Sequence, residues 1–183
     1  MNRYWAVRLM GLTEDTMSKG QRDLGLYGGR KSGSSHLLGG VVSVLTGNRV
    51  NRVDRSSNAN TGSCEFDGRD GKSVRRIVMP TEDKLPEGFD LDCMRGLLDH
   101  EAAHAVWSDF VGFTPANQLE MTVTNIIEDA RIERLMRKRF RGSGANIDAM
   151  NDCSMKTMDL SGFDEAEPVA QVLTALSTGL VLS

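Results

Sequence analysis

Two histidines four residues apart, His100 and His104, flank a glutamate that directly follows the first, within the run LLDHEAAHAVWSDF from Leu97 to Phe110. On an α-helix this spacing puts both imidazoles on one face, with Cβ atoms about 5–6 Å apart. Two ring nitrogens so placed can converge on one zinc ion (Zn2+) at bonds of about 2.0–2.1 Å. Glu101 then stands beside the ion without binding it. That is where a general base belongs if it is to take a proton from a water that the metal activates. Zinc lowers the pKa of such a water towards about 7, so the chemistry suggested is hydrolysis at neutral pH. Two histidines are not enough, because a catalytic zinc usually has three protein ligands and one open position.

The missing ligand has a candidate in NIIEDARIE, Asn125 to Glu133, where Glu128 follows His104 by 24 residues. That length lets one helix finish, turn at GFTP and return antiparallel. Asn125, Glu128, Asp129 and Ile132 fall at i, i+3, i+4 and i+7, a face that carries polar groups among isoleucines. A carboxylate on an apolar face costs free energy unless it is paired or bound to metal. Glu128 is therefore expected as the third ligand. Asp129 is expected to accept a hydrogen bond from a ligand histidine and fix its tautomer, with Asn125 nearby. The two acids could exchange roles. A plainer alternative is a solvated helix, with Glu128–Arg131 and Glu133–Arg137 as surface ion pairs.

The elements that would position these residues read as α+β: a small antiparallel sheet packed on two antiparallel metal-carrying helices. Asp90 is a plausible N-cap for the first helix, with Leu91, Met94, Leu97, Leu98, Ala105 and Val106 near one stripe and Gly112 as its stop. The second helix runs from about Ala116 to Phe140, with Leu119, Val123, Ile126, Ile127, Ala130 and Leu135 as its apolar stripe. VVSVLTG (Val41–Gly47) and SVRRIVMP (Ser73–Pro80) carry β-branched residues and read as strands, with CEF as a hairpin partner. DRSSNANTGS and DGRDGK between them read as turns. Eleven of the nineteen glycines lie between Gly20 and Gly71, so GLYGGRKSGSSHLLGG reads as flexible. Helices are expected over about residues 2–17 and from Glu165 onward. Three regions follow: 1–72, an N-terminal helix and Gly/Ser-rich segment with hairpin elements; 73–144, the metal-binding core; and 145–183, a C-terminal helical extension.

The HExxH motif with a downstream glutamate resembles the gluzincin branch of zincin metallopeptidases. RGLLDHEAAHAVWSDF followed by NIIEDARIE is similar, over roughly Val74 to Gly144, to the metallopeptidase-like region of cobalt-chelatase T-subunit-like proteins, many of them encoded by bacteriophages. The resemblance implies His100, His104 and Glu128 as zinc ligands and Glu101 as catalytic base. It also implies that SVRRIVMP is the strand beside the cleft, pairing with an extended peptide substrate. Members of that family usually continue into a von Willebrand A domain, which this sequence lacks, and its apolar end, TGLVLS, is expected to reflect truncation, a split partner, or an interface with a larger assembly.

Composition narrows the classes. Net charge is −3 and the sequence pI about 5.6, so nothing global favours nucleic acid or an anionic membrane. The basic run RIERLMRKRFRG sits where a helix C-terminus welcomes cations, and it has only Phe140 for base stacking. No stretch approaches the ~18 apolar residues of a membrane helix. Cys64, Cys93 and Cys153 are far apart and without a CxxC pair, which argues against a disulfide framework and fits a reducing, cytoplasmic interior. Tyr4, Tyr27, His36 and Arg75 are candidates for stabilising a tetrahedral oxyanion. The leading expectation is a zinc metallopeptidase acting on protein or peptide. The other class is a metal-binding assembly module without turnover, virion-associated or partnering an ATPase.

Overall fold

Asp90 opens the element that carries the motif. Its backbone is extended (φ −86°, ψ −171°), and its carboxylate accepts from the amides of Asp92 and Cys93 at the start of α2 (Leu91–Trp107). Those are two of the amides that every helix start leaves without an intrahelical partner. In the computed structural model, residues 32–50, 52–66, 73–85, 87–111 and 114–157 are described, with positions 172 and 175. Gly112, Tyr4, Tyr27 and the helices expected over 2–17 and from Glu165 lie outside them, apart from those two positions. The chain order is α1 (Ser32–Thr46), β1 (Val53–Ser56), β2 (Ser63–Phe66), β3 (Val74–Pro80), α2, α3 (Gln118–Arg139) and α4 (Arg141–Thr157). The architecture is α+β.

Almost every residue of α2 from Cys93 to Ala105 is buried. A helix covered all round is a central helix, not a surface helix with one apolar stripe. Leu91, expected on that stripe, is instead exposed. Asn117 caps α3 through its side chain, which accepts from the amide of Glu120. Of the expected stripe of α3, Ile126 is buried, but the rest of the inward face differs from it. Leu119 and Ile127 are exposed, whereas Ile132, Glu133 and Met136 are buried with Asp129 close behind. These four fall at i, i+3, i+4 and i+7 from Asp129, so the inner stripe is half acidic.

The sheet is mixed, correcting the antiparallel expectation. β3 lies in the middle, parallel to β1 and antiparallel to β2. β1 is VDRS, whose last three residues, Asp54–Ser56, belong to the stretch read as turn material. Among the described residues β1 pairs with Ile77–Pro80 of β3 and β2 with Val74–Val78, so the strand that the resemblance placed beside the cleft as an edge for an extended peptide lies in the middle of the sheet, with only its ends unpaired on one side. Ile77 and Met79 of β3 are almost fully buried. Arg76 is held by Asp54 of β1 and Glu65 of β2, which stitches the three strands together.

The run VVSVLTG forms no strand. It is the second half of α1, where Leu38, Val42 and Leu45 recur at helical spacing and Val42 is fully buried. Gly47 ends this helix at φ 61°. The amides of Gly47 and Asn48 return to the carbonyls of Val44 and Ser43, the pattern of a Schellman cap. The expected flexibility of Gly25–Gly40 therefore fails from Ser32 onward.

The region from 145 was expected as a helical extension with its helix from Glu165; the described helix is α4, whose bounds cross the division expected at 144/145. Ile147 and Met150 bring it into the same buried cluster as Val42, Val53, Ile77, Leu97 and Ile132, which also spans the division at 72/73. Gly96 makes this approach feasible: a Cβ there would collide with the carbonyl oxygen of Asn146 and lie 2.6 Å from Met150 Cβ. Cys93 and Cys153 meet across this contact as a disulfide, with Cα atoms 6.4 Å apart. The linear separation of 60 residues concealed a pairing that the α2–α4 packing creates. Among the described residues no helix is long and apolar enough to cross a membrane.

Candidate metal centre

The two imidazoles stand on the inner face of α2 as their spacing requires, rings 4.9 Å apart and nearly perpendicular. α3 runs alongside and delivers Asp129, not Glu128, to the point between them. Asp129 Oδ1 lies 3.1 Å from His104 Nε2 and 3.8 Å from His100 Nε2. The three side chains form a group whose potential ligand atoms all lie within 4.8 Å of one another. Tetrahedral angles at bonds of about 2.0–2.1 Å would put ligand atoms about 3.4 Å apart, a spacing that the two measured contacts bracket.

The opposite edges of the rings are already engaged. His100 Nδ1 is 3.0 Å from Glu133 Oε1, and the other oxygen of Glu133 accepts from Asn151 Nδ2 of α4 at 3.2 Å. Arg137 stands 3.7 Å from that second oxygen. Glu133 is therefore a buried partner of His100 rather than half of a surface pair. It takes the tautomer-fixing role expected of Asp129, one helical turn further on. His104 Nδ1 is 2.9 Å from Ser108 Oγ, whose hydroxyl donates to Glu128 Oε1 at 2.6 Å.

A neutral ring that donates through Nδ1 presents a bare lone pair at Nε2. Two such lone pairs face Asp129 Oδ1, itself buried and without a hydrogen-bond partner. Three acceptors without a donor, shielded from water, call for a cation among them. Either a metal ion or protons on the rings can supply it. Burial works to lower the pKa of His100, but the Glu133 hydrogen bond and the charges of Asp129 and Glu101 outweigh it and raise the pKa to about 10. Without metal, these neighbours favour the protonated form of His100 and make the cluster a buried ion-pair network.

Glu128, expected as the third ligand, is turned aside. Arg131 grips both its oxygens, with Nε and Nη2 each at 2.7 Å, and Nη2 also donates to the carbonyl of Trp107 at 2.8 Å. Burial works to raise the Glu128 pKa, but the hydrogen bonds from Arg131 and Ser108 prevail and hold it below the usual carboxylate value. A side chain committed to a guanidinium fork has little left to offer a metal. Asn125 is half-buried and hydrogen-bonds neither histidine. The useful signal in the sequence was the four-residue step: Glu133 follows Asp129, and Ser108 follows His104, at the same i+4 spacing that joins the histidines.

Glu101 is 4 % exposed and lies within electrostatic reach of both rings and Asp129. Burial raises its pKa most; the histidines and a backbone hydrogen bond from Cys64 oppose this without cancelling it. The start of β2 is moulded to it: a Cβ at Gly62 would fall 2.8 Å from Glu101 Oε1. Beside it the Cys64 thiol is buried, and desolvation first, then the charges of Glu101 and Glu65, push its pKa well above the ordinary value. It is no nucleophile at neutral pH. Of the oxyanion candidates, Arg75 is exposed and the His36 side chain lies outside the description. Comparison with protein-family models, curated proteins and solved structures returned no match, so the functional argument rests on this geometry.

Proposed function

We propose that this protein is a zinc-dependent hydrolase of the zincin type, acting on a peptide or protein, with His100, His104 and Asp129 as metal ligands and Glu101 as general base. The observation that carries this reading is the buried Asp129 Oδ1, which makes no hydrogen bond yet lies 3.1 and 3.8 Å from two imidazole nitrogens. Two nitrogens and one carboxylate oxygen are a usual catalytic donor set for zinc. Zinc held there supplies Lewis acidity towards a scissile carbonyl and activation of water at neutral pH.

The chain's own groups divide the remaining work. Glu133 holds His100 by Nδ1, and Ser108 holds His104 by Nδ1, so both Nε2 lone pairs point inward. Glu101 sits where desolvation favours its protonated form, which suits a group that accepts a proton from water and passes it to the leaving amine. Gly62 and Cys64 fix that carboxyl from the strand side. Peptide-library or casein cleavage that a chelator abolishes and zinc restores is the expected result. Glu101→Gln should retain zinc and lose turnover. Cleavage indifferent to chelator, or unaffected by Glu101→Gln, removes the mechanism.

A second reading is favoured by the raised pKa of His100: the cluster is an ion-pair core that protons neutralise, inside a module without turnover. The same assay separates the two, since that module neither takes up zinc nor cleaves.

A further inference from the structure

The loop after the motif helix and the outer acid of α3 meet at a point that the proposed ligand set leaves unexplained. Ser108 is the C-cap residue of α2, at the place where its last turn opens, and its backbone amide still returns to His104. Its hydroxyl lies between His104 Nδ1 at 2.9 Å and Glu128 Oε1 at 2.6 Å. Arg131 fills the far side of Glu128 with two 2.7 Å bonds and reaches the Trp107 carbonyl at 2.8 Å. Four side chains on two helices thus form one continuous chain of hydrogen bonds ending on an imidazole.

We infer that Ser108, Glu128 and Arg131 form a positioning relay that sets the tautomer and orientation of His104 for a metal ion. The directions of the bonds follow from elementary chemistry. A carboxylate gripped on both oxygens by a guanidinium has only lone pairs to offer, so the Ser108 hydroxyl must give its single hydrogen to Glu128. Ser108 Oγ then has only lone pairs left for the ring, and His104 must donate through Nδ1. In the neutral ring its Nε2 is then bare, facing Asp129. Arg131 closes the circuit by tying the same carboxylate to the Trp107 carbonyl, so the end of α2 cannot drift from α3 without breaking the relay. His100 reaches a carboxylate directly through Glu133, whereas His104 reaches one through a hydroxyl. The two rings therefore rest on independent supports.

This inference builds on the metal reading above, so its test needs a readout that survives the failure of that reading. Zinc affinity is measured by competition with a chromophoric chelator for the wild type, Ser108→Ala, Ser108→Thr and Glu128→Gln. The 15N shifts of His104 are recorded on the metal-free proteins, and thermal unfolding checks that each folds. Outer hydrogen-bond partners of metal ligands typically carry about 10- to 100-fold in affinity. Ser108→Ala should lose about that much, Ser108→Thr should restore most of it by keeping a hydroxyl, and Glu128→Gln should fall between. Neutral His104 should carry its proton on Nδ1 in the wild type and lose that preference in Ser108→Ala. Zinc bound by Ser108→Ala as tightly as by the wild type, or a neutral His104 protonated on Nε2, overturns the relay while leaving the metal site standing. If the wild type binds no zinc, the metal reading falls and the His104 tautomer alone decides the relay.

Discussion

Gly96→Ala is the perturbation whose size the structure defines best. The new methyl would meet the Asn146 carbonyl oxygen well inside contact distance, with Met150 Cβ at 2.6 Å and the Asn146 carbonyl carbon at 2.8 Å. The nearest obstacle is α4 backbone, which cannot swing aside as a side chain would, so the two helices must separate. Overpacking of this kind costs about 1–3 kcal/mol and sometimes more. Separation also strains the 2.8 Å bond from Asn146 Nδ2 to the buried Asp99, a bond to a charged acceptor of the class contributing about 1.5–3 kcal/mol. The better helix propensity of alanine returns only about 1 kcal/mol. The net expectation is a loss of about 2–4 kcal/mol. At a urea m-value of about 2 kcal/mol/M that is a midpoint roughly 1–2 M lower. Gly142→Ala is the matched control: it lies on α4 with nothing within 4 Å of its added Cβ, and should be neutral or stabilising by up to about 1 kcal/mol. Urea unfolding of the three proteins measures this. A Gly96→Ala midpoint equal to or above the wild type would refute the described α2–α4 packing.

Other outcomes follow from the same coordinates. Gly62→Ala should displace the Glu101 carboxyl, which its Cβ would approach to 2.8 Å. Turnover should fall steeply while zinc affinity holds; steady-state kinetics beside a zinc titration would reveal an unaffected enzyme if the strand does not mould that residue. Reducing the Cys93–Cys153 bond, which spans 60 residues, should lower stability by up to about 4 kcal/mol on the chain-entropy account. Unfolding with and without reductant, beside a thiol count, checks this; two free thiols in the untreated protein would contradict it. Asp54 is held below its ordinary pKa of 3.8, chiefly by the hydrogen bond from Arg52, which with Arg76 outweighs the opposing cost of burial. A depressed carboxylate contributes stability that is present above the ordinary value and lost as pH falls through the depressed one. The pair is partly exposed, so Asp54→Asn should flatten the acid limb of a stability–pH curve by less than about 1 kcal/mol; an unchanged limb would dismiss the contribution.

The sequence made some parts of this structure legible and hid others, each for a physical reason. α2 was readable because Asp90 is a strong cap and the histidine spacing marks a face. β3 was readable from its β-branched run ending at Pro80. α1 was misread because Val41, Val42 and Val44 suggest a strand, while the Leu38–Val42–Leu45 spacing that decides the matter needs a core to pack against. β1 was lost because VDRS looks like turn chemistry until β3 offers it a parallel partner. The place of α4 within the expected helical extension was lost because glycines at 142 and 144 and several polar residues lower helix propensity, and tertiary contact with Gly96 overrides that. At the site, the histidines and the neighbouring helix were anticipated, and of the two acids left interchangeable it is Asp129, not the preferred Glu128, that faces the rings. Adjacent residues on a helix point about 100° apart, and only the Arg131 fork, visible once α2 and α3 are docked, decides which of Glu128 and Asp129 faces inward.

The claim beneath all of this is that Asp129 and the two imidazoles form a cavity for one divalent ion. Calorimetric titration of the metal-free chain with zinc tests it most directly. The account predicts saturable binding of one ion per chain, abolished in Asp129→Ala. Absence of saturable binding, or undiminished affinity in Asp129→Ala, would mean that protons alone hold those three groups together.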